Sequence, residues 1–243
     1  GWGQAFDAWI RGDIAVCNQA HNGRTTESFR TEGHYGIVSK HIRKGDYFLI
    51  QFGHNDQKHQ HLRAEGGYAE NLKRFVGDIR EKGAFPIILT PIARNTWKEE
   101  DGELVYNDLL CEYSDVCTRI GKEQGIPVLD LHGESMAGIM ESGQEASKIY
   151  YHVDDWTHTN DYGAYRAAGY VAEELAHLHG SFPEYAPLMR AVGRGFGGWI
   201  PQGDIPLLKK PGRLEHMREL QAEDGGEAAR NHQAEKEGWL SLG

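Results

Sequence analysis

The segment DYFLIQFGHND, residues 46–56, decides the fold. A run of mostly apolar residues stops at Gly53, and three polar residues follow it: His54, Asn55 and Asp56. A buried strand that ends at a glycine before polar side chains is typical of the carboxyl edge of a parallel sheet, where chemistry is commonly placed. The pattern therefore predicts a strand over 46–52 and a candidate site directly after it.

Strand and helix patterns alternate on both sides of this segment. Further strands are predicted at 14–18, within GAFPIILTPIA (83–93) and within GIPVLDLH (125–132), and helices at 68–82, 108–124, 133–142 and 161–179. The polar loop 94–107 is predicted to contain a hairpin turn at Asp101-Gly102. Alternation of this kind indicates parallel strands joined by crossover helices, hence an α/β protein built as a three-layer α/β/α sandwich around a parallel sheet, as in flavodoxin-like folds.

The chain changes character after residue 180. Residues 1–180 are predicted to form one domain, whereas 181–243 begin with a stretch rich in proline and glycine and continue with a charged one. This C-terminal extension is interpreted as an arm that wraps the domain or a partner, or as a partly disordered segment. It could also support a homo-oligomer.

Composition and charge exclude several classes of partner. The 243 residues carry a formal net charge of −10, which argues against binding to nucleic acid or to an anionic membrane, because both need a basic face. No apolar run reaches the roughly 18 residues that are needed to cross a bilayer. Cys17, Cys111 and Cys117 form no CxxC pair, so all three are predicted to be core residues, which slightly favours a reducing, cytoplasmic compartment.

Three separated segments carry residues suited to catalysis. They are NQAHNGRTTESF (18–29), GHND (53–56) and DDWTHTNDYGAYR (154–166). Each follows a predicted strand or precedes a predicted helix, so all three can meet at the carboxyl edge of the sheet. Structural roles remain open for each one: Gly23 can be a turn glycine, the polar cluster after Gly53 can satisfy loop backbone groups, and Asp155 with His158 can cap the helix that begins near Asp161.

Several blocks together resemble the SGNH (GDSL-type) hydrolases, and more narrowly the rhamnogalacturonan acetylesterase-like group. These blocks are GWGQAF (1–6), N-x-A-x-x-G-R-T-T-x-S-F (18–29), GDYFLIQFGHND (45–56), TPIAR (90–94) and DWTHTNDYGA (155–164). The resemblance covers residues 1–180. It implies an SGNH-type three-layer fold and a serine esterase that removes O-acetyl groups from pectic polysaccharide or oligosaccharide, without a metal or other cofactor.

The resemblance also implies catalytic roles for four residues. His158 matches the histidine that takes the proton of a nucleophilic serine, and Asp155 matches the acid that orients its imidazole. Gly23 and Asn55 match two donors of the oxyanion hole, a backbone amide and a side-chain amide. A neutral side-chain amide suits this role because it donates hydrogen bonds without carrying charge.

Four further residues receive supporting or binding roles from the same resemblance. His54 and Asp56 are expected to fix the loop that carries Asn55. Arg94 is expected to line the sugar pocket, although a structural salt bridge is an equal alternative. Trp156 is expected to stack on a sugar ring or to fill the core.

The sequence departs from the family pattern at the block that carries the nucleophile. The family's first block, a strand followed by Gly-Asp-Ser, should precede GWGQ and is absent from the sequence; Gly-Asp occurs at 12–13, 45–46, 77–78 and 203–204, never with serine next. Thr25, Thr26 and Ser28 match the second block and are not assigned as nucleophiles. The absent strand is expected between 14–18 and 46–52, which favours a fragment of a longer gene product.

The absent block leaves two alternatives open. The tail could supply the strand, through DIPLLKK (204–210) or GWLSLG (238–243). Alternatively, the chain is a catalytically inactive relative that binds carbohydrate or serves as a scaffold. A metal hydrolase is the least favoured hypothesis, because His54, His59 and His61 fit no zinc motif such as HExxH.

Overall fold

The computed structural model describes residues 1–10, 14–178 and 182–193. The strands of this part are β1 (Tyr47–Ile50), β2 (Phe85–Leu89), β3 (Trp97–Glu100), β4 (Glu103–Tyr106) and β5 (Val128–Leu129). Its helices are α1 (Ser28–Thr31), α2 (His34–Ser39), α3 (Ala69–Glu81), α4 (Cys111–Gln124), α5 (Leu131–Ser147), α6 (Asp161–Ala176) and α7 (Ala186–Gly193). Short 3-10 and π turns lie between them, among them Asp56–Lys58 directly after Asn55.

A parallel sheet in the order β1-β2-β5 organises the fold. The central strand β2 is buried from Pro86 to Leu89, and α3 and α4 pack against it. Ile88 joins the apolar cluster beneath α3 and α4, and its neighbours Ile87 and Leu89 point to the opposite face, as alternation along a strand requires. On the side of β5, α6 contacts that strand and packs against α5. The three-layer α/β/α prediction is therefore confirmed.

The predicted strands are confirmed at three of four positions, with shorter bounds. β1, β2 and β5 lie inside the predicted segments 46–52, 83–93 and 125–132. The strand predicted at 14–18 is wrong, because these residues adopt no regular structure and Ala15 and Cys17 are exposed. Within the described residues β1 pairs only with β2, so the 14–18 segment has no neighbouring strand to supply the ladder hydrogen bonds.

The four predicted helices and the predicted turn are confirmed, with different bounds. The helix predicted at 133–142 continues to Ser147, but its backbone breaks at Gly143, which has φ 79° and follows the predicted end directly. The hairpin between β3 and β4 turns at Asp101 and Gly102, both with positive φ, as a two-residue hairpin requires. Among the helices of the described ranges, none is long and apolar enough to cross a membrane.

The cysteine prediction is wrong at two of three positions. Cys117 is buried in the core between α4 and β2, whereas Cys17 and Cys111 are exposed. Cys111 opens α4 on its solvent side, and Cys17 lies in the segment that forms no strand.

The beginning of the C-terminal extension packs on the domain. The Pro183–Tyr185 turn is fixed by the Tyr185 hydroxyl, which donates to the carbonyl of Pro86 at 2.7 Å, and α7 packs against α6. The segments DIPLLKK and GWLSLG, and with them the predictions of a tail strand and of a homo-oligomer, lie outside the described residues.

The start of α6 is held by a close contact that only glycine permits. A Cβ on Gly163 would lie 1.9 Å from the carbonyl oxygen of Tyr150. Replacement of Gly163 by alanine is therefore expected to lower the free energy of unfolding by about 2–4 kcal/mol, as forced overpacking does. Denaturant unfolding measures this.

Gly77→Ala is the matched control for that substitution. Gly77 is exposed inside α3, and a Cβ there meets nothing within 4 Å. This variant should gain about 0.5–1 kcal/mol from helix propensity. Equal stabilities for the two variants would contradict the packing account.

Candidate active site

The loop between Tyr151 and Thr159 holds the predicted catalytic pair in contact. The Asp155 carboxylate accepts from the Nδ1 of His158 at 2.7 Å through one oxygen. Its other oxygen accepts from the backbone N–H groups of Thr157 and His158, at 2.7 and 2.9 Å. The side chain of Asp155 is 12% exposed and that of His158 47% exposed. This geometry fixes the orientation of the imidazole through its Nδ1.

The charge state of Asp155 follows from these contacts. Burial alone would raise its pKa, but the hydrogen bond and the charge of His158, with the two backbone N–H groups, hold the pKa of Asp155 well below its usual range. Asp155 therefore stays ionised and can stabilise an imidazolium form of His158 as it develops.

This lowered pKa predicts a pH dependence of stability. Because the pKa of Asp155 is lower in the folded than in the unfolded chain, its stabilising contribution is complete above about pH 4 and is lost as the pH falls toward the folded value. Asp155→Asn is expected to lower the free energy of unfolding at neutral pH. It should also make that free energy fall less steeply as the pH is lowered. Urea unfolding between pH 2 and pH 6 measures this, and parallel curves for the two proteins would contradict it.

The alternative role of this pair as a helix cap is taken by another residue. The Asn160 side chain accepts from the backbone N–H of Gly163 at 2.9 Å and thereby caps α6. Its Nδ2 donates to the carbonyl groups of Ile149 and Tyr151. Asp155 and His158 are thus not needed to begin α6.

The structure brings the Gly23 and Asn55 segments together. Gly23 has φ 70°, a turn conformation that favours glycine. The Nδ2 of Asn55 donates to the carbonyl oxygen of Arg24 at 3.4 Å, next along the chain from Gly23. The Oδ1 of Asn55 accepts from the Nζ of Lys58 at 2.9 Å. Two predicted oxyanion donors therefore lie on adjoining loops.

Asp56 links the loop that carries Gly23 to the loop that carries Asn55. It is fully buried, and its carboxylate accepts from the backbone N–H and the hydroxyl of Thr26 and from the N–H of Gly53. The Thr26 hydroxyl also accepts from Asn71 on α3 at 3.1 Å. Burial raises the pKa of Asp56, and these hydrogen bonds act in the opposite direction. The carboxylate ties the end of β1 to the segment that carries Gly23.

Thr25 and Ser28 form a local capping arrangement. The Ser28 hydroxyl oxygen accepts from the Thr25 N–H, and the Thr25 hydroxyl oxygen accepts from the Ser28 N–H, both at 2.9 Å. These contacts anchor the beginning of α1. They agree with leaving both residues out of the catalytic assignment.

His54 and Arg94 lie beneath the site. Burial, reinforced by the charges of Arg94 and His158, holds the pKa of His54 well below its usual range, so its imidazole is neutral. Arg94 is only 3% exposed, and its guanidinium donates to the backbone carbonyl of His54 at 3.1 Å. This position makes Arg94 a support for the Asn55 loop, and its predicted contact with a sugar stays a prediction.

Asn95 is a site residue that the sequence analysis missed. Its N–H donates to the carbonyl of Trp156 at 2.8 Å, and its side chain donates to the Gln144 carbonyl and accepts from the indole of Trp97. Trp156 itself is half-buried beside the catalytic pair. Together with Arg94, Asn95 links the Asn55 loop to the His158 loop. Its position just after the central strand β2 is the signal that could have identified it.

The histidines proposed for a metal hydrolase do not converge. The His61 ring bonds to Glu27 at 3.0 Å on the surface, and the rings of His59 and His61 are 5.8 Å apart. Within the described ranges, no group of three or more His, Cys, Asp or Glu side chains is arranged to hold a metal ion.

Comparison with known proteins identifies the family. Residues 1–167 match the model of the GDSL-like Lipase/Acylhydrolase family. Rhamnogalacturonan acetylesterase RhgT of Bacillus subtilis is 34% identical over an alignment of 191 positions, and the match covers 73% of this chain and 81% of that protein. The probable rhamnogalacturonan acetylesterase YesY of the same organism is 30% identical over an alignment of 186 positions, and the match covers 73% of this chain and 84% of YesY.

A solved structure agrees with the same relationship. The crystal structure of YxiM from Bacillus subtilis is similar with a TM-score of 0.64 and 29% identity, over 72% of this chain and 49% of that chain. This chain thus spans about half the length of YxiM. Because the family model matches well over half of its residues, the chain belongs to the GDSL-like lipase/acylhydrolase family of ester hydrolases, in its rhamnogalacturonan acetylesterase-like group.

Proposed function

We propose that this protein is a serine carbohydrate esterase that removes O-acetyl groups from acetylated pectic polysaccharide or oligosaccharide. The observation that carries the proposal is the 2.7 Å contact of His158 with an ionised Asp155, in a chain that also presents Gly23 and Asn55 on adjoining loops. The names of the relatives RhgT and YesY support the choice of acetylated rhamnogalacturonan as substrate.

The first half of the reaction transfers the acetyl group to the enzyme. A serine hydroxyl attacks the acetyl carbonyl while the Nε2 of His158 takes its proton. The negative charge that develops on the carbonyl oxygen is stabilised by the Gly23 N–H and the Asn55 side-chain N–H. The tetrahedral intermediate collapses, the bond to the sugar oxygen breaks, and His158 returns its proton to that oxygen.

The second half releases acetate. Water attacks the acetyl-enzyme, His158 takes the proton of the water, and the serine hydroxyl is regenerated when the second tetrahedral intermediate collapses. Asp155 keeps the imidazole oriented and stabilises its charged form in both halves. We propose that the serine lies on a strand beside β1, ahead of GWGQ, as the family resemblance implies, and that Trp156 contacts a sugar ring next to His158.

The test compares two forms of the protein. One is the present chain, and the other carries a strand ending in Gly-Asp-Ser joined ahead of Gly1. The extended form should release acetate from p-nitrophenyl acetate and from acetylated rhamnogalacturonan, and should be slower on acetylated xylan. Ser→Ala in the added block is the matched control and should abolish turnover.

Two outcomes would overturn the proposal. An extended, folded protein that releases no acetate from any of these substrates contradicts esterase activity. Binding of the deacetylated oligosaccharide without turnover of the acetylated form would instead favour the carbohydrate-binding alternative.

A further inference from the structure

Lys58 contacts the side chain that the proposed mechanism uses as an oxyanion donor. It ends the short turn Asp56–Lys58, three residues after Asn55, and its Nζ donates to the Oδ1 of Asn55 at 2.9 Å. The side chain of Lys58 is exposed, and its charge also acts on His54. The ammonium group can therefore influence the site through its contact with the Asn55 amide.

Two contacts determine which way the Asn55 amide is turned. An ammonium group only donates, so Lys58 must face the amide oxygen. A carbonyl oxygen only accepts, so Arg24 must face the amide nitrogen. Both contacts require the same orientation, with the NH₂ group toward the Gly23 segment, and a reversed amide would lose both.

The same contacts leave the Asn55 amide with a hydrogen to donate. The NH₂ group has two hydrogens, and the contact with the Arg24 carbonyl uses one of them at 3.4 Å, a long and weak hydrogen bond. A cation on the amide oxygen draws electron density from the nitrogen and strengthens the N–H groups as donors. Both effects favour a negative charge developing beside Asn55.

We propose that Lys58 is a positioning residue for the oxyanion hole, which holds the Asn55 amide with its NH₂ toward the reacting carbonyl and strengthens it as a donor. This inference rests on the proposed function for its catalytic consequence, but the orientation of the amide can be measured without turnover. Because Lys58 is exposed, salt should weaken the effect of its charge on rate.

The first measurement uses the chain as it stands. The side-chain NH₂ resonances of Asn55, assigned by their loss in Asn55→Asp, are recorded by ¹H–¹⁵N NMR in Lys58→Met and in the control Lys40→Met. Lys40 is exposed on the surface after α2, so its substitution removes the same charge elsewhere. The Asn55 resonances should shift in Lys58→Met and stay in place in the control. Unchanged resonances in both variants would overturn the proposal.

The second measurement is kinetic and uses the serine-bearing form. Lys58→Met should lower kcat about 5- to 30-fold with KM within about twofold, since the full loss of an oxyanion donor costs about 100- to 1,000-fold. Lys58→Arg should recover most of the rate, and the ratio of wild-type to Lys58→Met kcat should shrink between 0.05 and 0.5 M NaCl. An active enzyme whose kcat is insensitive to Lys58→Met would overturn the proposal.

The two measurements separate this inference from the proposed function. If no form of the protein turns over an ester, the proposed function fails, while a shifted Asn55 amide in Lys58→Met still supports the positioning role. If turnover is present and the amide does not respond to Lys58→Met, the positioning role fails and the esterase assignment stands.

Discussion

Replacement of His158 by alanine is expected to lower kcat about 10⁴- to 10⁶-fold in the serine-bearing form of the protein. The reason is that His158 moves the proton in both halves of the proposed reaction, and its Nδ1 bond to Asp155 at 2.7 Å orients the imidazole for that transfer. KM for the acetylated substrate should change little, because the imidazole acts on the nucleophile and the leaving group.

Two controls accompany this prediction: the thermal stability of His158→Ala, and the activity of a variant at another histidine. The His158 side chain is half-exposed, and Asp155 keeps its two backbone N–H donors without it, so the melting temperature should fall by only a few degrees. His41→Ala removes an exposed histidine after α2 and should leave kcat unchanged. A His158→Ala variant within tenfold of the wild-type rate would contradict the assignment of the base.

Replacement of Asn55 by alanine is expected to lower kcat about 100- to 1,000-fold, the cost of one oxyanion-hole donor. Asn55→Asp should be at least as damaging, because a carboxylate keeps the shape of the amide but brings negative charge next to the developing oxyanion. Initial rates over a range of substrate concentrations separate the two kinetic constants. A change confined to KM would instead indicate that Asn55 binds the ground state.

The layered fold could be predicted from the sequence because its signals are local. β1 and β2 are apolar runs bounded by Gly53 and Gly83, and the hairpin turn at Asp101-Gly102 has residues suited to positive φ. The 14–18 strand could not be judged in this way, because a strand also needs a neighbour. Its residues have a strand-like pattern, yet none of the described segments pairs with them.

Within the candidate site, the contact that the sequence could predict is the one between Asp155 and His158. His158 and Asp155 stand three apart in the sequence, and their contact needs one short turn. Asn95 and Lys58 act through backbone carbonyls or through another side chain, so residue type alone gives no sign of their partners. Arg94 illustrates the same limit: its contact with a sugar stays a prediction, and its residue type gives no sign that its guanidinium donates to the backbone carbonyl of His54.

The bridge formed by Arg94 and Asn95 has a consequence for engineering. Arg94 donates a hydrogen bond to the backbone beside Asn55, and Asn95 donates one to the backbone beside His158. The positions of the two loops therefore depend on each other. If one loop alone were replaced by that of a relative, the hydrogen bonds that fix its position relative to the other loop would be lost. Chimeras that aim at a new substrate should therefore exchange residues 93–95 together with both loops, and keep Trp97 and Tyr106, which donate to Asn95 and Arg94. The exposed tip of the β3–β4 hairpin, residues 98–104, is the place for free variation.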